Sequence, residues 1–227
     1  MFIGHFGAAL AAKKLDDKPS LGTMFLASQF IDLLWPVLML AGIEKIKIEP
    51  GNSAFTPLNF IYYPFSHSLL FVLIWALLIG GIYYLIKKNL KSSVVLGALV
   101  LSHWVLDLIS HVPDLPLYPG GNLKVGLGLW NFVSLTVLVE GLIFIAGAAL
   151  YIFSTRAENR KGTVGLWSLL LFLLAIYITN MVSPPPPSVD AVAVVSLLQW
   201  IFVLWGYFID SNRRSISLEK PILAGGN

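Results

Sequence analysis

Four histidines and several acidic residues of this 227-residue chain lie in or beside strongly apolar segments. A charged group is expensive inside hydrocarbon, so an ionisable residue in such a segment is a candidate for function. The residues of this kind are His5, Asp32, His67, His103, Asp107, His111, Asp114 and Glu140. The chain has no cysteine, so a metal here would be held by imidazole and carboxylate. These ligands predict a divalent cation, with zinc first and iron or manganese as alternatives.

Three of these residues recur every fourth position in the sequence LSHWVLDLISH. On a helix, His103, Asp107 and His111 lie along one slowly rotating face, with neighbours about 6 Å apart along the axis. The outer pair is about 12 Å apart, so one metal can take two neighbours but hardly all three. The remaining histidine would serve a second metal, a contact outside the ligand shell, or the substrate.

Other residues near these histidines are candidates for catalysis. Asp32 and Glu140 can act as general base or orient a ligand imidazole. Ser66 and Ser68 flank His67 and can donate hydrogen bonds to an anionic substrate, or equally cap the helix that follows. Two other interpretations of the cluster stay open at this point: a proton or ion relay, and a network of structural hydrogen bonds.

The composition indicates an integral membrane protein. The chain is 57% hydrophobic and 12% charged, with a mean hydropathy of +0.80, whereas soluble domains are about 25% charged. Lys and Arg occur in short clusters between apolar runs, which is typical of membrane topology rather than of nucleic-acid binding. The predicted partner is therefore the lipid bilayer, and no nucleic acid is expected.

Six segments are long and apolar enough to cross a bilayer, which takes about 20 residues in helix. They are approximately 20–42, 65–86, 93–112, 128–153, 163–183 and 189–210. The predicted fold class is all-α, a polytopic membrane protein with about six transmembrane helices plus a short N-terminal helix. Residues 1–227 form one domain, with the metal site in approximately 1–115 and accessory helices in approximately 128–210.

The distribution of positive charge predicts the orientation. Twelve of the fifteen Lys and Arg residues fall on the side shared by both termini. Under the positive-inside rule, both termini lie in the cytoplasm of a bacterial or archaeal cytoplasmic membrane.

The N-terminal segment Met1–Leu15 is apolar but too short to cross the membrane. Its lysines, Lys13 and Lys14, follow the apolar run, which differs from a signal peptide. We interpret it as a half-helix that keeps both lysines at the cytoplasmic surface and carries His5 about 12 Å deep. An amphipathic helix lying in the interface is the alternative.

Three of the candidate residues are predicted to lie at similar depths in the membrane. Counted along their spans from the cytoplasmic side, His103, Asp32 and Asp107 lie about 15, 18 and 21 Å deep. The site is therefore predicted near the middle of the membrane and open toward the outer side. The outer loops 44–64 and 112–127 are candidates for a lid.

At these residues the sequence resembles the bacterial membrane-bound, metal-dependent hydrolases of the YdjM-like class, also described as LexA-binding, inner-membrane-associated hydrolases. The resemblance covers roughly the first 115 residues and implies hydrolysis. The arrangement of the candidate residues also resembles that of zinc-dependent phospholipase C, in which His and Asp residues from several helices form the site. The matching residues are an early His5, a first-helix Asp32, His67 and Ser68 in SHSLL, and His103 and Asp107 in HxxxD.

One departure from that class concerns the number of metals. Its members often carry a PDxD cluster near the first Asp, whereas this chain has FIDLLWP with a single acid. The departure argues against a two-metal site.

The sequence therefore predicts a membrane-embedded hydrolase that uses metal-activated water on a small or lipid-linked ester or phosphoester. The predicted metal ligands are His5, Asp32, His67, His103, Asp107 and His111, and the predicted catalytic residues are Asp32, Glu140 and Ser68. One alternative is a transporter or proton relay that uses the same residues. A second is a structural membrane protein whose bundle is stapled by a metal.

Overall fold

The computed structural model describes residues 1–216, which form a helical bundle with short antiparallel ribbons at its ends. The helices are α1 Ile3–Leu15, α2 Leu21–Leu40, α3 Pro64–His67, α4 Leu69–Lys87, α5 Leu90–Ser110, α6 Val133–Ser154, α7 Arg160–Val182, α8 Val189–Leu197 and α9 Gln199–Asp210, with a 3-10 turn at Leu129–Asn131. The ribbons pair β1 Lys45–Ile48 with β2 Leu58–Tyr62, β3 Leu115–Pro116 with β4 Lys124–Val125, and β5 Thr155–Ala157 with β6 Arg213–Ser215. The predicted all-α polytopic fold is confirmed.

Six stretches of helix within residues 1–216 are long and apolar enough to span a membrane: α2, α4, α5, α6, α7, and α8 with α9. Their mean hydropathy ranges from 1.5 to 2.5. Many side chains on their outer faces are apolar and exposed, including Leu77, Phe153 and Val182. Such a surface is suited to hydrocarbon rather than water. The chain is thus a multi-pass membrane protein.

The second predicted span is interrupted where the sequence predicted continuity. Ser68 has extended backbone angles, φ −70° and ψ 144°, so the short helix α3 ends and α4 begins there. The Ser68 hydroxyl accepts the backbone N–H of Phe71 and caps α4. The break turns His67 away from the axis of α4 and toward α2, against which α3 packs.

Helix α1 lies inside the bundle rather than on its surface. Phe6 and Leu10 are fully buried, and α1 packs along α6 and α2. A Cβ atom on Gly147 of α6 would overlap the carbonyl oxygen of Gly7, so the two backbones touch directly. Small residues at helix crossings permit this close approach in membrane proteins. It brings His5, one turn from the crossing, into the interior.

Of the two lysines of α1, Lys13 is buried within the protein beside the end of α9. Its side chain is 4% exposed, and its Nζ donates to Asp210 Oδ2 at 2.9 Å and to the Pro19 carbonyl at 2.9 Å. Tyr151 donates a further hydrogen bond to Asp210. Lys14 is exposed, as predicted. The pairing joins residues 197 positions apart, so no local pattern in the sequence signals it. Lys220, which the orientation count includes, lies outside the described residues.

Asp210→Asn removes the counter-charge of a buried lysine, and we expect it to lower the free energy of unfolding by about 3–5 kcal/mol. Thermal unfolding of the purified protein in detergent, followed by tryptophan fluorescence, measures the loss. Asp190→Asn is the matched control, because Asp190 is exposed in the first turn of α8. Its expected loss is about 0.3–1 kcal/mol. Equal losses in the two variants would refute a buried anchor at Lys13.

Candidate metal centre

Four elements bring imidazoles and carboxylates into one cluster. α1 supplies His5, α2 supplies Asp32, α3 supplies His67, and α5 supplies His103 with Asp107. The histidines and Asp107 are at most 3% exposed, whereas Asp32 is partly open to an adjoining cavity. Residues far apart in the chain thus meet, as the estimated depths predict.

Four of the six separations among the ligand atoms of Asp32, His67, His103 and Asp107 are close to those of a tetrahedral metal site. His103 Nε2 lies 3.1 Å from Asp107 Oδ2 and 3.5 Å from Asp32 Oδ1. His67 Nε2 lies 3.4 Å from Asp32 Oδ1 and 3.9 Å from Asp107 Oδ2. Four ligands at zinc bond lengths around a tetrahedron would be roughly 3.3 Å apart. The observed separations bracket that value.

Two overlapping triads fit a metal by distance, and they share His103. One is His5, His103 and Asp107, and the other is Asp32, His67 and His103, each with its ligand atoms within 4.8 Å of one another. His103 has a single free nitrogen, because its Nδ1 lies 2.7 Å from the carbonyl oxygen of Ser28. The triads therefore compete for one ion at His103 Nε2.

The contact with Ser28 also fixes the tautomer of His103. A carbonyl oxygen only accepts hydrogen bonds, so Nδ1 carries the proton and donates it. In the neutral ring, Nε2 then has a lone pair directed at the carboxylates. It is buried and has no hydrogen-bond partner among residues 1–216. Metal-ligating histidines characteristically donate their other N–H to a carbonyl or carboxylate in this way.

His67 is oriented by a chain of two further residues. The hydroxyl of Ser66 donates to Glu44 Oε2 at 2.6 Å, so its oxygen accepts from His67 Nδ1 at 2.7 Å. Glu44 is 2% exposed and also accepts the backbone N–H groups of Phe65 and Ser66 through Oε1. The lone pair of His67 Nε2 is thereby directed at Asp32 and away from its support.

His111 has a comparable support. Its Nδ1 lies 2.9 Å from Asp114 Oδ1, which also accepts the hydroxyl of Tyr63 at 2.9 Å. Burial raises the pKa of Tyr63 well above its usual value, and the negative charge of Asp114 raises it further, so the phenol stays a donor. Helix α5 ends at Ser110 and His111 is extended, which leaves its Nε2 4.0 Å from Asp107 Oδ1.

These contacts test whether a cation fits the cluster. Three imidazoles, His67, His103 and His111, hold their Nδ1 protons on oxygen acceptors. Each Nε2 lone pair then faces a carboxylate oxygen at 3.1–4.0 Å. Lone pairs set against anionic oxygens in a buried site are unfavourable unless a cation lies between them. The residues present fit a divalent metal.

The other oxygen of Asp107 has different neighbours. Oδ1 lies 3.1 Å from His5 Nε2 and accepts from the amino group of Met1. The His5 ring is stacked on that of His103, with centroids 3.6 Å apart and planes 6° apart. His5 Nδ1 has no hydrogen-bond partner among the described residues. The two oxygens of Asp107 thus have different nitrogen neighbours: His5 and the amino group of Met1 lie at Oδ1, and His67 and His103 lie at Oδ2.

The remaining predicted residues have separate surroundings. Glu140 of α6 is fully buried, and its Oε2 accepts the backbone N–H groups of Phe2 and Gly4 at 2.8 and 3.4 Å. Its Oε1 has no hydrogen-bond partner in residues 1–216. Ser68 caps α4, the structural alternative of the two predicted for it. The serine that contacts a site histidine is Ser66.

A cavity of about 420 Å³ adjoins the cluster. Five predicted residues line one part of it: Asp32, His67, Asp107, His111 and Glu140. Its other walls come from Trp35, Phe60 and Trp130, from residues 55–58 between β1 and β2, and from residues of α7, α8 and α9 and the proline turn between α7 and α8. The outer loop 112–127 contributes no lining residue. Of the two loops predicted as a lid, one reaches the cavity.

Sequence reasoning missed the groups that orient the imidazoles. Glu44 and Tyr63 lie in the first outer loop, which carries no periodic pattern, and the contact of Ser28 is made by its backbone carbonyl. The only feature of the sequence that could have indicated Glu44 is that it is an acidic residue next to an apolar span. The contact itself depends on the fold of the loop.

The comparisons with known proteins agree with the resemblance seen at the site residues. The model of the YdjM inner membrane protein family matches residues 4–184, and the chain belongs to that family. The match extends beyond the first 115 residues into α7. No curated protein and no solved structure matched the chain.

Ser66→Ala removes the oxygen that holds the Nδ1 proton of His67. We expect the zinc dissociation constant of the purified protein to rise about 10- to 100-fold, as is typical when an outer contact of a ligand is lost. Competition with a chromophoric chelator in detergent measures the constant.

Ser68→Ala is the matched control, two residues along the chain. It removes a helix cap and should lower the free energy of unfolding by about 1 kcal/mol while leaving zinc affinity unchanged. The same zinc affinity in the Ser66 and Ser68 variants would rule out the proposed support of His67.

Proposed function

We propose that this member of the YdjM inner membrane protein family is a membrane-embedded, metal-dependent hydrolase that cleaves an ester or phosphoester. One observation carries the proposal. Ligand atoms of Asp32, His67 and His103, from three helices, lie within 4.8 Å of one another, Asp107 Oδ2 lies 3.1 Å from His103 Nε2, and both imidazoles are oriented by buried oxygen acceptors. The proposed ligands are His67, His103, Asp32 and Asp107, with zinc as the first choice of metal.

A divalent cation in such a site lowers the pKa of a coordinated water to about 7 and polarises an ester oxygen. The protein residues perform the positioning. Ser28 and Ser66 hold the rings of His103 and His67 in one orientation, and His5 and His111 flank the second oxygen of Asp107. Asp32 acts as a ligand rather than a base, because its Oδ1 is shared by the two imidazoles.

Glu140 is the proton-holding group in this proposal. Its Oε2 is engaged by the start of α1, whereas Oε1 has no hydrogen-bond partner among the described residues, and the side chain lines the cavity. A buried carboxylate in that position can accept a proton from water and return it to the leaving oxygen. Lipid-linked substrates are proposed because the cavity is enclosed by membrane-spanning helices.

Asp107→Ala is the sharpest test, because Asp107 touches every histidine of the cluster. Protein stripped with chelator and reloaded with zinc should hold about one equivalent in the wild type and close to none in the variant. Elemental analysis measures the metal content. Glu140→Gln is the matched control and should keep its zinc, since Glu140 is not a proposed ligand.

Hydrolysis of chromogenic carboxylic esters and phosphate diesters then separates the roles. Glu140→Gln should lose about 10²- to 10⁴-fold in kcat, the range for removal of a general base. Zinc binding without hydrolysis in the wild type, with His103→Ala lowering only the melting temperature, would instead support a metal-stapled structural bundle. Ion flux into proteoliposomes that His103→Ala abolishes would support a relay.

A further inference from the structure

The cavity next to the metal cluster has an apolar half and a polar half. The polar half is formed by Asp32, His67, Asp107, His111 and Glu140. The apolar half lies between the segment that leads into β2 and helix α8, and is lined by Phe55, Leu58, Val192 and Val195. Uncharged polar residues on the side of α7, α8 and α9 also line the cavity: Asn180, Ser183, Ser196 and Gln199. The exposed proline turn at 184–187 stands beside this half. A ligand that fills the cavity must therefore join a reactive polar group to an apolar chain.

Apart from the amino group of Met1, which Asp107 engages, the cavity lining within residues 1–216 carries no permanently cationic donor. Trp35 and Trp130 are 6% and 8% exposed, both line the cavity, and neither indole nitrogen has a hydrogen-bond partner in residues 1–216. An indole N–H only donates and is neutral, so neither of these residues brings a charge to the cavity wall. No Lys or Arg side chain occurs among the cavity-lining residues of the part of the chain that the structure describes.

The charges of the cavity wall are balanced without a substrate. Three carboxylates line it, those of Asp32, Asp107 and Glu140, and the amino group of Met1 is engaged by Asp107. One divalent cation together with that amino group offsets the three carboxylates. Every negative charge that a substrate brings is then uncompensated in a low-dielectric cavity, and the second charge costs more than the first.

We infer that the cavity selects an amphiphile whose ester group carries at most one negative charge: a carboxylic ester or a phosphate diester on an alkyl chain. It discriminates against phosphate monoesters, and Glu140 is a residue that sets this preference. The inference rests on the proposed function, since it assigns the substrate class of the same site. The chain of the amphiphile lies between β2 and α8.

Two probes with the same chain and different charge test the inference. They are dodecylphosphonate, at a pH at which it is doubly ionised, and its monomethyl ester, which carries one charge. Zinc-loaded protein in an uncharged maltoside detergent is titrated with each, and binding is followed by tryptophan fluorescence. The singly charged probe should bind at least tenfold more tightly. Equal binding, or tighter binding of the doubly charged probe, overturns the inference.

A pair of variants on α8 tests where the chain lies. Val192→Trp fills the apolar half and should weaken binding of the singly charged probe at least tenfold. Val194→Trp is the matched control, because Val194 is 56% exposed and does not line the cavity, and it should bind as the wild type does. Equal affinities in these two variants place the probe elsewhere, in the micelle or on the surface, and overturn the assignment.

Glu140→Gln tests the source of the charge preference independently of turnover. Loss of the carboxylate charge should strengthen binding of the doubly charged probe at least fivefold and that of the singly charged probe only about twofold, because the repulsion scales with the charge of the probe. An unchanged ratio shows that Glu140 does not set the preference. Zinc content is measured in the same samples. Protein that binds no zinc refutes the proposed function and this inference with it, whereas zinc-loaded protein without charge preference refutes the inference alone.

Discussion

The cluster depends on how the buried charge of Asp107 is compensated. An ionised carboxylate in a protein interior is strongly unfavourable unless opposite charge and hydrogen bonds surround it. In their neutral forms, two of the nearest imidazoles, His103 and His67, turn nitrogen lone pairs toward Oδ2, because their Nδ1 protons are held by oxygen acceptors. A metal cation between the rings and the carboxylates, or a second proton on each ring, resolves this conflict. The arrangement therefore suits a cation.

Helix α1 reaches the cluster because both of its ends are neutralised. A helix begins with backbone N–H groups that lack intrahelical partners, and in a membrane interior water does not satisfy them. Glu140 accepts two such groups at the start of α1, and at the other end Lys13 is paired with Asp210. The contact between Gly7 and Gly147 lets α1 lie against α6 between these two points. Glu140 therefore seats α1 while its side chain lines the cavity, and its other oxygen has no hydrogen-bond partner among residues 1–216.

Most of the fold and part of the cluster follow from local rules. The six spans are predicted by apolar length, and the closeness of His103 to Asp107 follows from one turn of helix. His111 does not continue helix α5, which ends at Ser110, and its Nε2 lies 4.0 Å from Asp107 Oδ1. The cap at Ser68 is also local and was one of the two roles predicted for it, whereas the pairing of Lys13 with Asp210 was not predictable in this way. That pairing depends on a contact between segments distant in the chain, which periodicity does not encode.

The loops that follow α2 and α5 have a larger part in the site than a lid would. Glu44 orients His67 through Ser66, and Asp114 orients His111 while accepting the hydroxyl of Tyr63. These acids follow the membrane-spanning helices and owe their positions to the loops rather than to the bundle. Two of the imidazoles near Asp107, His67 and His111, are thus oriented by residues outside the apolar spans, whereas His103 is oriented by Ser28 of α2. The cluster is complete only when the loops are folded, so the orientation of His67 and His111 and the structure of the loops are coupled through Glu44 and Asp114.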